Sequence, residues 1–548
     1  MNGDRTSGHS GGDPEAVSGE LAATEIPGTA RAARGRAQRS TSDPRRLVVG
    51  VALAALGATA LSLDAVRVEQ VVVQAPAEAV VLPPSGASST AWYCPGGLPG
   101  DAEARVAALA GAQPDETTTT VPEDVGAQPS SGIVFVTNLA GRDTTVRMSV
   151  LAAGAPVASE RLEIAGGASV AVHVADYSDA PDAAVMVESF ADGIVVEQGI
   201  DASDRDDFEV VTCATQASAT WYFAAGSTLR GSTQWLAILN PFSGDAAVDI
   251  QLLTSDGVRR PSALQSVSIA ARSRTVVLVN EHADRKTVVG VIVRTRDGRR
   301  VVAQQTIVHE NVERRSGVST SLGATRPSTR ATFVTGIREG TSQRLLFIMN
   351  PQQVPTDVDI QLVAEGTTPQ TISVPAESVA TVNVNRLVPA GQQYALIVQS
   401  AADFSNGAAS TDRGVVVEDF EQYRLSEPRG AAFVGITGGG GMVAPARAWH
   451  FGRNRLNGDH RGFVVLYNPN ERDVTVVIRI VRNGTLVTPD ELAGIVVEGA
   501  SRRSLRLDQL VDENSGIVVS ADLPVYAARL LLRAEVASRA AGIPDRSD

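Results

Sequence analysis

The sequence predicts an all-β protein: tandem Ig-like antiparallel β-sandwich repeats behind a single N-terminal transmembrane helix. Three observations carry this. One strand pattern recurs four times at a spacing of about 110 residues. No amphipathic helical stretch separates the copies, which excludes a parallel α/β sheet. One uncharged apolar run stands near the N-terminus.

The chain has 548 residues, enough for three or four domains at about 150 residues each. It carries 48 Lys plus Arg against 61 Asp plus Glu, a net charge of −13, which argues against a nucleic-acid partner. Two Cys and six scattered His exclude zinc-finger and disulfide-rich classes.

Residues 1–46 are rich in Gly, Ser, Ala and Arg without apolar periodicity. They cannot bury enough surface to offset their ordering entropy, and a disordered basic cytoplasmic tail is expected. Leu47–Leu63 is 17 residues without a charge, preceded by six Arg between Arg31 and Arg46. The length reaches the lower limit for a spanning helix, and the Arg cluster places the tail inside. The expectation is a signal anchor at 47–63, then a linker at 64–87, with everything beyond exported. A cleaved signal using Ala58-Thr59-Ala60, or a buried helix, are the alternatives.

Each copy opens on an aromatic strand, at Trp92, Trp221, Phe333 and Trp449. An apolar run follows and ends at Asn138, Asn240, Asn350 or Asn468, the last three followed by Pro. These Asn lie 102, 110 and 118 residues apart. Asn-Pro fits a strand end, because Pro lacks the ladder amide and Asn can bond its own backbone to start a turn. Eight residues after each Asn an alternating strand begins, centred on Met148, Ile250, Ile360 and Ile478, and period two means one buried and one wet face. A turn block and two short closing strands complete six or seven strands per copy. The expected sandwiches are 88–213, 219–310, 329–425 and 430–536, with a tail at 537–548. Each is expected to have its own core and to project outward. A disordered Thr/Pro insert is expected near 111–131, and Gly438–Gly441 reads as a hinge at the start of the fourth copy.

The run Trp221-Tyr222-Phe223-Ala224-Ala225-Gly226-Ser227-Thr228 with Asn240-Pro241 resembles the repeated β module of an actinobacterial membrane-anchored cell-envelope family of unknown function. Over residues 85–535 the resemblance implies an envelope location and no known activity. Ala225 stands where that family's motif has Glu. Its genes often neighbour a family-2 glycosyltransferase gene, which implies envelope glycan work.

Cys94 and Cys213, an even count in an exported chain, predict a disulfide closing 119 residues. The His never fall at metal-ligand spacing. The acidic clusters Asp204/Asp206/Asp207 and Glu418/Asp419/Glu421 lack calcium-loop spacing and read as solvated turns. Gly8-His9-Ser10-Gly11-Gly12 matches a nucleophile-elbow pattern, but in the tail with no strand before it. The recurrent Trp reads as core packing and not as a sugar platform. No catalytic, cofactor or metal site is therefore expected. The function expected is a non-catalytic, membrane-anchored extracellular scaffold or adhesion protein of the bacterial envelope. Its partners would be the membrane and cell-wall glycan or an envelope glycosyltransferase. The alternative is an accessory subunit of a polysaccharide/glycosyltransferase system, and the remoter one an envelope enzyme.

Overall fold

The computed structural model describes residues 80, 89–98, 132–152, 158–180, 183–201, 208–312, 315–339, 342–400, 413–426, 432–453, 460–482, 484–511, 515–533 and 536–545. The basic tail, Leu47–Leu63, the Thr/Pro insert and Asp204/Asp206/Asp207 lie outside them. Among the described residues no helix is long and apolar enough to cross a membrane.

Among the described residues all regular structure longer than one turn is antiparallel strand, in four modules. Module one holds β1 (Thr90–Cys94), β2 (Ile133–Asn138), β3 (Thr144–Leu151), β4 (Ala158–Ile164), β5 (Ser169–His173), β6 (Ala184–Ser189), β7 (Ile194–Asp201) and β8 (Phe208–Thr212). Module two holds β9 (Thr220–Phe223), β10 (Ser232–Asn240), β11 (Ala246–Thr254), β12 (Gly257–Arg259), β13 (Val267–Ile269), β14 (Ser273–Leu278), β15 (Val289–Thr295), β16 (Val302–Val312) and β17 (Arg315–Leu322). Module three holds β18 (Arg330–Ile337), β19 (Gln343–Asn350), β20 (Thr356–Val363), β21 (Gln370–Val374), β22 (Ser378–Asn383), β23 (Gln393–Ser400), β24 (Val416–Ser426) and β25 (Ala432–Gly440). Module four holds β26 (Ala446–Phe451), β27 (His460–Tyr467), β28 (Val474–Arg482), β29 (Thr485–Val487), β30 (Ala493–Val497), β31 (Arg502–Arg506), β32 (Ile517–Arg533), β33 (Val536–Ala541) and β34 (Ile543–Asp545).

Each module packs two sheets over one apolar core. In module one the outer sheet is β1-β6-β3-β4 and the inner β5-β2-β7-β8; module three repeats this as β18-β23-β20-β21 and β22-β19-β24-β25. In module four β32 serves both sheets, pairing with β28 through Ile517–Ala521 and with β27 through Tyr526–Arg533. The alternation read from sequence follows the pleat: Ile250, Ile360 and Ile478 are buried, and Asp249 and Asp359 face solvent.

The inner sheets end in a strand that sequence periodicity misses. The second module runs to Leu322 and the third to Gly440, past the expected ends at 310 and 425. Gly438–Gly440 is not a hinge: it pairs with Glu418–Phe420 as the last residues of β25. A Cβ at Gly438 would lie 2.7 Å from the Asp419 carbonyl, so close backbone approach, not flexibility, accounts for that glycine. Residues 537–545 are not a tail but lie in β33 and β34. These strands are rich in small and polar residues, and their few apolar ones, such as Val318 in β17 and Phe433, Val434 and Ile436 in β25, give no sustained alternation.

The modules do not project separately. Strand β8 packs against β17 and β33, and β25 packs against the same two, so the four final strands close a central ring. Apolar contacts span every junction. Leu151 and Ala184 join the core of module two. Leu253 and Ile292 pack with Phe347 and Met349 of module three. Val334 and Ile397 join the core of module four, and Val481 and Val518 join that of module one. Each module presents one face to the next, and the head-to-tail series closes because the fourth meets the first.

Candidate functional site: the polar junctions between modules

The four Asn are buried clamps. Asn350 Nδ2 donates to the carbonyls of Val354, Val374 and Pro375 at 2.8, 3.0 and 3.1 Å, and its Oδ1 accepts from Gln352 N at 3.0 Å. Asn138, Asn240 and Asn468 repeat the set, beginning with Arg142, Gly244 and Arg472. The side chain thus satisfies a loop and a distant strand end as well as starting its own turn, since buried carbonyls need partners.

Trp92, Trp221 and Trp449 are fully buried. The indoles of Trp221 and Trp449 donate to the carbonyls of Val301 and Val525 at 2.7 and 2.8 Å. Phe333 is not their counterpart. Register places Val293 between Trp221 and Ile250, whereas the equivalent Val398 lies between Ala331 and Ile360. Phe333 matches Phe223 instead, and Ala331 lines a cavity of about 200 Å³. Cys94, on β1, is disulfide-bonded to Cys213, which follows β8.

The inner sheets carry a polar pair in mid-strand where the sequence pattern is apolar. Glu197-Gln198, Gln304-Gln305, Glu418-Asp419 and Ala528-Arg529 share one register. The first residue of the pair receives the segment after the aromatic strand of the preceding module. Ala225 N donates to Glu418 Oε2 at 2.7 Å, Arg453 N to Glu197 Oε2 at 2.7 Å, and Gln304 Nε2 to the Gly96 carbonyl at 3.4 Å. Gly452 permits the second contact, because a Cβ there would sit 2.7 Å from Glu197 Oε2. Ala528 lacks an acceptor.

Electrostatics reinforce two junctions. Arg529 pairs with Glu197 at 3.1 Å with both side chains buried. Asp419 is bound by Arg344 Nε and Arg539 Nη1, each at 2.7 Å. The Tyr423 hydroxyl donates to Glu421 Oε2 at 2.8 Å. Glu418, Asp419 and Glu421 are thus not solvated turns but buried strand residues. Burial raises carboxyl pKa values, yet Arg539 and Arg344 outweigh it at Asp419, which is lowered. At Glu421 burial wins over the same arginines. At Glu418 burial pushes the carboxyl up to about 7 against bonds from Ala225 and Ala224. Glu209, on β8, accepts from Thr320 N at 2.6 Å and Thr437 Oγ1 at 2.7 Å, so one carboxylate joins modules one, two and three. Burial pushes it well above the carboxylate range. The signal for these residues was legible as Val-Val-Glu-Gln, Val-Ala-Gln-Gln and Val-Val-Glu-Asp at one offset in three copies.

His309 lies beside Ser232 at 3.1 Å, while His450 is held neutral at a pKa of about 4 by burial. Among the described residues no group of three or more His, Cys, Asp or Glu is placed to hold a metal.

A model of a family of unknown function (DUF5719) matches residues 183–431, from β6 into module three. No curated protein matches the chain. Among solved structures, "Crystal Structure of Thermotoga maritima 1070" is 16% identical, covering 20% of this chain and 97% of its own, with a TM-score of 0.18. A Ca2+-stabilized adhesin with which an Antarctic bacterium binds ice is 10% identical, covering 76% of this chain and 94% of its own, with a TM-score of 0.09.

Proposed function

We propose that this protein is a non-catalytic, membrane-anchored scaffold of a bacterial cell envelope, in which four Ig-like modules form one binding platform outside the cell. The closed ring is the observation that carries this reading. The buried carboxylates Glu197, Glu209 and Glu418 are engaged by neighbouring modules, as suits a rigid body that presents surfaces. The charge-free run Leu47–Leu63 behind six Arg supports anchorage, and the disulfide fits an oxidising compartment.

Fractionation of cells producing the full chain tests it. The protein should sediment with membranes, and external protease should reach its C-terminal bulk. Full-length protein in the cytosolic fraction would overturn the reading. A mature N-terminus at Leu61 would make the run a cleaved signal. Stoichiometric co-purification of a membrane glycosyltransferase would favour the accessory-subunit role.

A further inference from the structure

We infer that the cleft between modules two and three binds a neutral glycan segment of one or two sugar rings. This deepens the scaffold reading and rests on it for the source of the ligand. The cleft encloses about 300 Å³, at the lower end of small-molecule pockets, about 300–1,000 Å³.

Its walls are the outward faces of the two inner sheets. Phe347 and Phe420 supply aromatic surface, and the His309 ring meets Phe420 edge-on at 4.8 Å between centroids. Gln343, Asn383 and Ser319 supply amide and hydroxyl groups beside them. No Lys or Arg is among the lining residues, and the carboxylate of the one acid, Asp419, is bound by Arg344 and Arg539. An ionic ligand would find no counter-charge there. A sugar ring fits this chemistry: its C–H face packs on aromatic surface, and its hydroxyls both donate to and accept from amides. A peptide adding as a strand does not fit. Strands β16, β19 and β24 are each paired on both sides, and the edge strands β17 and β25 pack against each other. Leu229, 36% exposed, stands at the mouth.

The full chain in detergent micelles is titrated with neutral trisaccharides of glucose, galactose, mannose, arabinose and N-acetylglucosamine, with trigalacturonate as the charged comparison. Saturation-transfer NMR and calorimetry read binding. At least one neutral trisaccharide should bind. Gln343→Ala and Leu229→Arg should each weaken it about tenfold or more, equivalent to about 1.4 kcal/mol, with the melting temperature unchanged. Val354→Arg, at a residue 50% exposed and outside the cleft lining, should not. No binding by any neutral trisaccharide, preference for trigalacturonate, or binding indifferent to both cleft variants overturns the assignment. Membrane fractionation intact beside any of these results leaves the anchored scaffold standing, so the two failures are distinguishable.

Discussion

Arg453 and Glu197 lie 256 residues apart, yet the backbone N–H of Arg453 donates to Glu197 Oε2 at 2.7 Å. That contact fastens the last module to the first, and Arg529 pairs with the same carboxylate at 3.1 Å. Removing one member of a buried pair typically costs about 3–5 kcal/mol, because the other is left desolvated. Arg529→Leu is expected to lose that much in urea unfolding. Glu197→Gln combined with Arg529→Leu should recover a large part, since Gln304 occupies the same register in module two. A single variant as stable as wild type would show that the pair does not hold the junction.

Glu418 sets a pH dependence. Its carboxyl sits at about 7 in the folded chain, against about 4.3 when unfolded. The unfolded chain therefore releases this proton first, and stability falls as pH rises from about 4 through 7. Glu418→Gln keeps an acceptor for Ala225 N. It should raise the melting temperature at pH 8 and leave it nearly unchanged at pH 4. A variant destabilised at pH 8 would show that the ionised carboxylate is needed.

The Asn clamps predict a steep local cost. Asn350→Ala removes the donor to three carbonyls bonded at 2.8–3.1 Å, and the buried one, of Val374, costs about 1–3 kcal/mol when unsatisfied. A loss of at least about that size is expected. Asp359→Ala, on the wet face of β20, should cost under about 1 kcal/mol. Chemical denaturation of both variants checks the contrast, and equal losses would refute it.

Cys94 and Cys213 close 119 residues, for which the chain-entropy relation gives about 4–5 kcal/mol. Non-reducing digestion should yield one linked peptide pair. Cys94→Ser/Cys213→Ser should destabilise more than module one alone, because that module packs against both neighbours. Unfolding should remain one cooperative transition, checked by agreement of calorimetric and van't Hoff enthalpies. Two separated transitions would mean that the modules are independent after all.

Local pattern exposed much of this architecture. Period-two alternation around Ile250, Ile360 and Ile478 marks the buried faces, since a strand's pleat alternates its side chains whatever its neighbours. The four Asn mark equivalent strand ends for a similarly local reason. Phe333 mimics the Trp position locally, because an aromatic two positions from the lost Trp keeps the same strand alternation. Only register distinguishes it from Ala331.

The chain by itself determined an all-β fold, four copies of one module and the core phase of their strands, because each depends on contacts within about 110 residues. Ring closure was decided by tertiary structure alone. The strands that make it, such as Val536–Ala541 and Ala432–Gly440, carry too little sustained apolar alternation to announce their place in the fold. They are stable because neighbouring modules supply partners for Glu209, Glu418 and Asp419. A buried charge reads as a solvated one until the group that satisfies it is brought in from more than a hundred residues away.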